Sequence, residues 1–133
     1  MNHEEFTMCT HIVKWSDQWF RAFHPELLVQ QYDKKGNPTR KISPLVHVKN
    51  EGKSSAKLGH QANLIGRRKG FIDYQYPIPR KGYGGLFAEA KRKNNVVRDK
   101  NQLEWIEFLN RENFCFVFYS VADFKKKVEW YFE

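Results

Sequence analysis

Two short apolar segments joined by a loop rich in proline and glycine constrain most strongly what this chain can fold into. The first reads Gly70-Phe71-Ile72-Asp73, the second reads Leu86-Phe87-Ala88-Glu89-Ala90-Lys91, and the loop spans residues 77–85. Prolines and glycines in such a loop are typical of a turn between antiparallel strands. The pattern therefore predicts a first strand with Asp73 late in its run and a second strand that brings Glu89 back beside it.

The second segment also predicts which side chains point the same way. Successive side chains of a strand point to opposite faces, so Glu89 and Lys91 share one face and Ala88 and Ala90 share the other. Two carboxylates and an ammonium at one place can bind a hard divalent cation, with a charged group beside it for an oxyanion or a water. A simple salt bridge from Lys91 to either carboxylate is the alternative interpretation, and it is compatible with such a site.

Apolar spacing predicts further elements around these segments. The first is an amphipathic helix over residues 4–23, whose apolar positions are Met8, Ile12, Trp15, Trp19 and Phe23. The sequence Asp33-Lys34-Lys35-Gly36-Asn37-Pro38 predicts a hairpin tip or an exposed loop. A strand is predicted over 45–48, followed by a helix that has Leu58, Ala62 and Ile65 on one face and ends near Gly66. A second helix, capped by Asp99, bears Leu103, Ile106 and Leu109. The last predicted elements are a buried strand over 114–119 and a helix over 121–132.

The composition favours an ordered protein with a polyanionic partner. A length of 133 residues predicts one domain, and 41% hydrophobic residues argue against disorder. The net charge of +8 favours nucleic acid over a membrane surface, because no basic amphipathic helix dominates. Cys9 and Cys115 lie far apart in apolar patterns, which predicts buried structural thiols rather than a zinc site or a disulfide. The absence of a signal-peptide pattern and of a long apolar stretch predicts a cytoplasmic protein without membrane contact.

These segments and their flanks resemble the VRR-NUC family, the virus-type replication and repair nucleases of the PD-(D/E)xK superfamily. The ordered motifs that carry the resemblance are Asn50-Glu51-Gly52, Gly70-Phe71-Ile72-Asp73, Pro77-Ile78-Pro79-Arg80-Lys81-Gly82-Tyr83-Gly84-Gly85-Leu86-Phe87, Glu89-Ala90-Lys91-Arg92 and Gln102-Leu103-Glu104-Trp105-Ile106. The resemblance runs from about Glu5 to the C-terminus and is weakest between Glu26 and Lys41. It implies an α/β fold with a restriction-endonuclease-like core, in which helices flank a mixed central β-sheet, and a single nuclease domain over residues 1–133.

The resemblance also implies the composition of an active site. Asp73 and Glu89 would be the primary ligands of Mg²⁺ or Mn²⁺, with the backbone carbonyl of Ala90 as a further oxygen ligand and Glu5 at a second metal position. Lys91 would orient or deprotonate the attacking water, or stabilise the charged phosphate. Gln102 would position a water molecule or a backbone group. Two alternatives remain open, because Glu5 could be a solvated first-turn glutamate favoured by the helix dipole and Gln102 could face solvent.

Several polar and basic residues are candidates for contact with nucleic acid. They are Asn50, Lys53, Arg67, Arg68, Lys69, Arg92 and Lys93. The run of three cations at residues 67–69 lies between two glycines just before Asp73, where cations and backbone amides could reach a phosphate. A solvated charged surface is the alternative for this run. The predicted hairpin tip near Gly36 is also open to contact with DNA.

The predicted function is a metal-dependent, structure-selective DNA endonuclease. The small, standalone family members that this chain resembles are mostly phage-encoded homodimers that cut four-way junctions, so a homodimeric Holliday-junction resolvase in the host cytoplasm is the first expectation. The alternatives are a nucleic-acid-binding protein without useful catalysis, and a flap or nonspecific nuclease of the same fold. The aromatic run Trp130-Tyr131-Phe132 would serve either core packing or the dimer interface.

Overall fold

The computed structural model describes residues 3–48, 59–61, 64–66, 68–92, 97 and 99–133. The chain divides into two compact units, one that ends at Leu45 and one that begins at Val46. No helix within the described residues is both long enough and apolar enough to cross a bilayer.

The N-terminal unit begins with helix α1, His3–Phe23, which confirms the first predicted helix. Its buried residues are Ile12, Ser16 and Phe20, whereas Phe23 is 66% exposed. The predicted apolar stripe, which included Phe23 and left out Ser16, was therefore wrong in part. Ser16 tolerates burial because its hydroxyl is hydrogen-bonded to the hydroxyl of Ser43 at 2.7 Å.

A two-stranded antiparallel sheet completes this unit. A 3₁₀ turn, Pro25–Leu27, leads into β1, Val29–Tyr32, which pairs with β2, Pro38–Ile42. The connecting turn is held by Asp33, whose Oδ1 accepts hydrogen bonds from the backbone N–H of Lys35 and of Asn37, both at 2.9 Å. Gly36 supplies the positive φ of +83° that the turn requires. The prediction of a hairpin tip at these residues is confirmed.

A mixed four-stranded sheet forms the centre of the C-terminal unit. The strands are β3, Val46–His47, β4, Tyr74–Tyr76, β5, Leu86–Ala90, and β6, Phe114–Phe118, and they lie in that order across the sheet. β4 is antiparallel to both β3 and β5, and β6 runs parallel to β5. Helix α2, Lys100–Leu109, connects the parallel pair, and helix α3, Val121–Phe132, follows β6.

Helices α2 and α3 cover opposite faces of this sheet. Because successive side chains of a strand point to opposite faces, both faces carry apolar residues on which a helix can pack. On one face, aromatic residues of the strands pack against α3: the ring of Phe124 lies 5.0 Å from that of Phe118 and 5.9 Å from that of Tyr74. The buried residues of α3 are Phe124, Val128, Tyr131 and Phe132, whereas Trp130 is 42% exposed. The aromatic run at the C-terminus therefore serves mainly the core.

On the other face, α2 packs over a second apolar cluster. Its buried members are Ile72, Leu109 and Cys115, and its partly buried members are Phe71, Phe87, Trp105 and Ile106. Burial, followed by the negative charge of Glu89, raises the pKa of the Cys115 thiol to about 12. Cys115 is thus an unreactive core thiol, which confirms the sequence prediction for it.

The strand predicted over residues 70–73 was wrong, because β4 begins only at Tyr74. Gly70 has a φ of +78°, which no strand residue adopts, and the ring of Phe71 packs edge-on against Trp105 of α2 at 4.9 Å. The apolar run thus packs on a helix rather than pairing with a strand. Asp73 lies directly before β4.

The helix predicted near residue 60 falls only partly within the described residues. Residues 59–61 and 64 are helical, and Gly66, with a φ of +101°, lies in the turn that follows, in agreement with the predicted end. Two of its three predicted face residues, Leu58 and Ala62, lie outside the described residues. The third, Ile65, is 88% exposed.

Candidate active site

Asp73 and Glu89 meet at one end of the central sheet through the pairing of β4 with β5. Tyr74 faces Ala88 across this antiparallel pair, so Asp73 lies opposite Glu89. The backbone N–H of Asp73 donates to Glu89 Oε1 at 3.2 Å, and the backbone N–H of Ala90 donates to Asp73 Oδ2 at 3.3 Å. The structure thus brings together the two carboxylates that the strand pattern predicts to be neighbours.

Burial raises the pKa of both carboxyl groups, and the charge of Asp73 adds to this effect at Glu89. Glu89 is 3% exposed. Its burial and then the charge of Asp73 raise its pKa from 4.5 to about 8, while Lys91 acts in the opposite direction. Burial likewise raises the pKa of Asp73, against hydrogen bonds with the Ala90 backbone and with the Glu89 side chain. Two carboxylates this close do not both ionise readily, so Glu89 holds a proton at neutral pH unless a cation is bound.

Gln102 connects helix α2 to the carboxylate pair. The side chain of Asp99 caps α2 by accepting hydrogen bonds from the backbone N–H groups of Asn101 and Gln102, as the sequence predicts. The Gln102 side chain points inward, and its Nε2 donates to Glu89 Oε2 at 2.5 Å. Because Gln102 is 8% exposed, the alternative that it faces solvent was wrong.

The other end of the Gln102 amide marks a place for a ligand. Within the described residues, Gln102 Oε1 is a buried oxygen without a hydrogen-bond partner. Leaving such a group unpaired costs about 1–3 kcal/mol. A water molecule, free or bound to a cation, would satisfy this oxygen beside the two carboxylates.

Two further side chains, Lys91 and His47, lie near the pair. Lys91 Nζ is 3.8 Å from Glu89 Oε2, so Lys91 lies on the face of Glu89 that strand alternation predicts. His47 of β3 pairs with Tyr74 across the sheet, its ring stacks on the Tyr74 ring at 4.8 Å, and its charge lowers the pKa of Asp73. Sequence reasoning missed His47, because a lone histidine in a two-residue strand gives no signal until the strand pairing is known.

The residues at this site fit a hard divalent cation. Within the described residues, no group of three or more His, Cys, Asp or Glu side chains could hold a metal ion, so the acidic centre there is a pair. Its donors are carboxylate oxygens together with the unpaired Gln102 oxygen, and oxygen donors suit Mg²⁺ or Mn²⁺ rather than zinc. A bound cation would also remove the repulsion that raises the pKa of Glu89.

The other sequence-predicted residues lie in different parts of the chain. Glu5 is half-buried in the first turn of α1, in the N-terminal unit, and its role as a metal ligand stays a prediction. The described members of the nucleic-acid-binding set, all exposed, are Arg68, Lys69 and Arg92. The members that lie outside the described residues are Asn50, Lys53, Arg67 and Lys93.

Gly70 occupies a backbone position beside α2 that cannot hold a side chain without displacement. Its φ is +78°, and a Cβ there would lie 2.9 Å from Gln102 N. We expect Gly70→Ala to lower the free energy of unfolding by about 2–4 kcal/mol, because the left-handed backbone alone costs about 1–2 kcal/mol and the first turn of α2 must also move. Urea denaturation measures this loss.

Gly36→Ala is the matched control for this prediction. Gly36 has a similar φ of +83°, but a Cβ there would meet no atom within 4 Å. This variant therefore measures the conformational penalty without the steric one. Equal losses of stability in the two variants would contradict the close packing of Gly70 against α2.

Comparison with solved structures gives a match to a protein described as "VRR_NUC domain protein". The TM-score is 0.67 at 21% sequence identity, and the match covers 98% of this chain and 89% of that chain. Neither the comparison with protein-family models nor the comparison with curated proteins gives a match. The structural match confirms the predicted fold class, a restriction-endonuclease-like α/β fold with a mixed sheet and flanking helices. It also agrees with the family resemblance of the sequence motifs.

Proposed function

We propose that this chain is a VRR-NUC nuclease that hydrolyses phosphodiester bonds of DNA with the help of Mg²⁺ or Mn²⁺. The observation that carries the proposal is the Asp73–Glu89 pair, with Lys91 and Gln102 beside it, on a fold that matches a VRR_NUC domain protein. The net charge of +8 suits a polyanionic substrate. The proposal treats residues 1–133 as one nuclease domain.

The metal site would consist of oxygen ligands held by backbone hydrogen bonds. Asp73 and Glu89 would bind the cation directly, the Ala90 carbonyl would be a further ligand, and Glu5 would belong to a second metal position. A bound divalent cation supplies a nucleophilic water at neutral pH and neutralises charge on the phosphate. The backbone N–H groups of Asp73 and Ala90 fix the two carboxylates in place before any ligand arrives.

The neighbouring side chains would act on the water and on the phosphate. Lys91 lies beside Glu89, where its ammonium can stabilise the phosphate oxygens or orient the attacking water, whereas deprotonation of that water would require its neutral amine. Gln102 holds Glu89 through Nε2 and offers Oε1 as an acceptor to a water. A protonated His47 would favour the ionised form of Asp73.

We extend the proposal to the substrate and to the assembly. The motifs of the chain resemble those of the minimal, phage-type family members, which supports a homodimer that resolves four-way junctions in the cytoplasm of a host cell. A dimer with two-fold symmetry would present two sites to strands of opposite polarity. Restriction of activity to one DNA structure would then depend on the distance between these sites.

Cleavage of matched DNA substrates tests the proposal. Four-way junction, flap, linear duplex and single-stranded DNA would be incubated with Mg²⁺, with Mn²⁺ or with EDTA. We expect paired symmetric cuts in the junction and none in EDTA. Preference for a flap, or equal cutting of all substrates, would keep the nuclease and discard the resolvase. Binding of DNA without cleavage under any condition would instead indicate a nucleic-acid-binding protein with this fold.

A further inference from the structure

The ribbon formed by β1, β2 and their turn, residues 29–42, is a separate two-stranded sheet in the N-terminal unit. Every residue from Tyr32 to Lys41 is exposed. This part of the chain also lies where the family resemblance of the sequence is weakest. The central sheet and its carboxylates therefore do not account for the presence of this exposed ribbon.

Polar contacts with α1 fix the end of the ribbon. Ser43, directly after β2, donates its backbone N–H to Asp17 Oδ1 at 2.9 Å, and its hydroxyl is hydrogen-bonded to that of buried Ser16 at 2.7 Å. Arg21 Nη2 donates to the carbonyl oxygen of Lys41 at 3.2 Å. An isolated two-stranded hairpin is marginally stable in water. These contacts attach the ribbon to a helix of 21 residues while its turn extends into solvent.

Positive charge covers the ribbon on both faces and at its tip. Lys34 and Lys35 lie in the turn, whereas Arg40 and Lys41 are consecutive in β2 and therefore point to opposite faces. The one acidic residue within the ribbon is Asp33. Its Oδ1 accepts two backbone hydrogen bonds of the turn, so this carboxylate stabilises the turn itself.

This distribution of charge favours one kind of partner. A flat anionic surface would contact the cations on one face of the ribbon only, and the cations on the other face would gain no favourable electrostatic interaction. A duplex groove has phosphates along both walls, so cations on both faces of an inserted ribbon meet negative charge, and the major groove is wide enough for a two-stranded ribbon. Tyr32, which is 62% exposed, adds an aromatic side chain to the same element.

Protection against aggregation does not account for all of these cations. Lysine, arginine and proline on an edge strand prevent pairing between molecules, and Pro38, Arg40 and Lys41 would suit that role. Lys34 and Lys35 lie outside the strands, in the turn, where there is no edge to protect. Edge protection therefore does not account for the tip cations, whereas contact with an anionic partner would.

We propose that the β1–β2 ribbon is a DNA-binding element that inserts into a groove of duplex DNA and holds the substrate through phosphate contacts. This inference rests on the proposed nuclease function, because it takes the substrate from it. The ribbon contributes to affinity and leaves the chemical step to the carboxylate pair. Replacing its cations thus weakens binding without changing the maximal rate of cleavage.

Fluorescence anisotropy with a labelled duplex, in EDTA and over a series of salt concentrations, tests the inference. The two ribbon variants are Lys34→Gln/Lys35→Gln at the tip and Arg40→Gln/Lys41→Gln in β2. We expect each to weaken duplex binding by about tenfold at roughly 100 mM salt, and to reduce the slope of log K against log salt by about 2, since each phosphate contact contributes about 0.9. Cleavage at saturating DNA with Mg²⁺ should stay within about twofold of the unsubstituted protein.

A matched control removes the same charge elsewhere. Lys14→Gln/Lys126→Gln replaces exposed lysines of α1 and α3, and we expect it to reduce duplex affinity by less than about threefold. Circular dichroism of all variants confirms the fold. Single-stranded DNA of equal length should respond less to the ribbon substitutions than the duplex does, because it offers no groove.

The outcomes separate this inference from the proposed function. If the unsubstituted protein binds duplex DNA and the ribbon variants bind it like the control, the ribbon is not a DNA-binding element and the nuclease proposal is untouched. An equal loss on single-stranded DNA would overturn insertion into a groove. If the unsubstituted protein neither binds nor cuts DNA, both the inference and the proposed function are wrong.

Discussion

Glu89→Gln is expected to reduce metal-dependent DNA cleavage by about three orders of magnitude or more, while DNA binding changes by less than about threefold. Loss of one carboxylate removes a direct metal ligand and several kcal/mol of transition-state stabilisation, and each ~1.4 kcal/mol corresponds to a factor of ten in rate. The glutamine is nearly isosteric, its one amide oxygen can still accept from Asp73 N, and its NH2 group can donate to Gln102 once the Gln102 amide turns its Oε1 toward it. The loss would therefore report chemistry rather than folding.

Two measurements check this expectation. Initial rates at saturating Mg²⁺ give the loss in activity, and calorimetric titration with Mn²⁺ gives the loss in metal affinity without any reaction. Glu129→Gln is the control, because it replaces an exposed carboxylate of α3. Asp73→Asn should behave like Glu89→Gln. Cleavage within about tenfold of the unsubstituted rate in both site variants would show that the pair is not the metal centre.

The second large effect concerns the stability of the metal-free protein. Because burial and Asp73 raise the pKa of Glu89 from 4.5 to about 8, the folded protein keeps a proton that the unfolded chain has lost between these pH values. The unfolded state then binds fewer protons, so the free energy of unfolding falls as pH rises through this window. One pKa unit corresponds to about 1.4 kcal/mol, so the carboxyl pair would destabilise the protein by several kcal/mol at pH 8 relative to pH 4.5.

Glu89→Gln isolates this contribution because it removes the titrating group and keeps the shape. We expect the variant to gain stability over the unsubstituted protein as pH rises from about 4.5 to 8, in urea denaturation with EDTA present. Added Mg²⁺ should stabilise the unsubstituted protein near pH 8 and leave the variant nearly unchanged, since only a ligand that binds the folded state stabilises it. A constant difference in stability across this range would contradict the raised pKa.

Local sequence signals correctly predicted much of the local structure around the carboxylate pair. The alternation of Glu89 and Lys91, the loop that returns β5 beside Asp73 and the Asp99 cap of α2 all follow from rules that act over a few residues. The hairpin tip at Asp33 and Gly36 follows equally from turn chemistry. In each case a nearby backbone preference or side-chain hydrogen bond is enough to select the conformation.

Predictions failed where distant parts of the chain compete for the same residues. The run from Gly70 to Asp73 has the composition of a strand, yet Phe71 packs on Trp105 of α2, more than thirty residues later. On α1, the buried face includes Ser16 because Ser43 supplies a hydrogen bond from beyond the hairpin. Neither partner can be read from a local pattern, because side-chain contacts of this kind are made only after the chain has folded.

The sequence by itself determined the residue types of the site, their order and the α/β class, because strand alternation, turns and helix caps depend on residues that are close together in the sequence. Only the tertiary structure decided how these residues act together. It set the hydrogen bonds that involve Asp73 and Glu89, turned Gln102 inward with one oxygen that has no partner among the described residues, and paired His47 with Tyr74, next to Asp73. The raised pKa of Glu89 belongs to this second group, since desolvation and charge repulsion depend on distances that exist only in the packed protein.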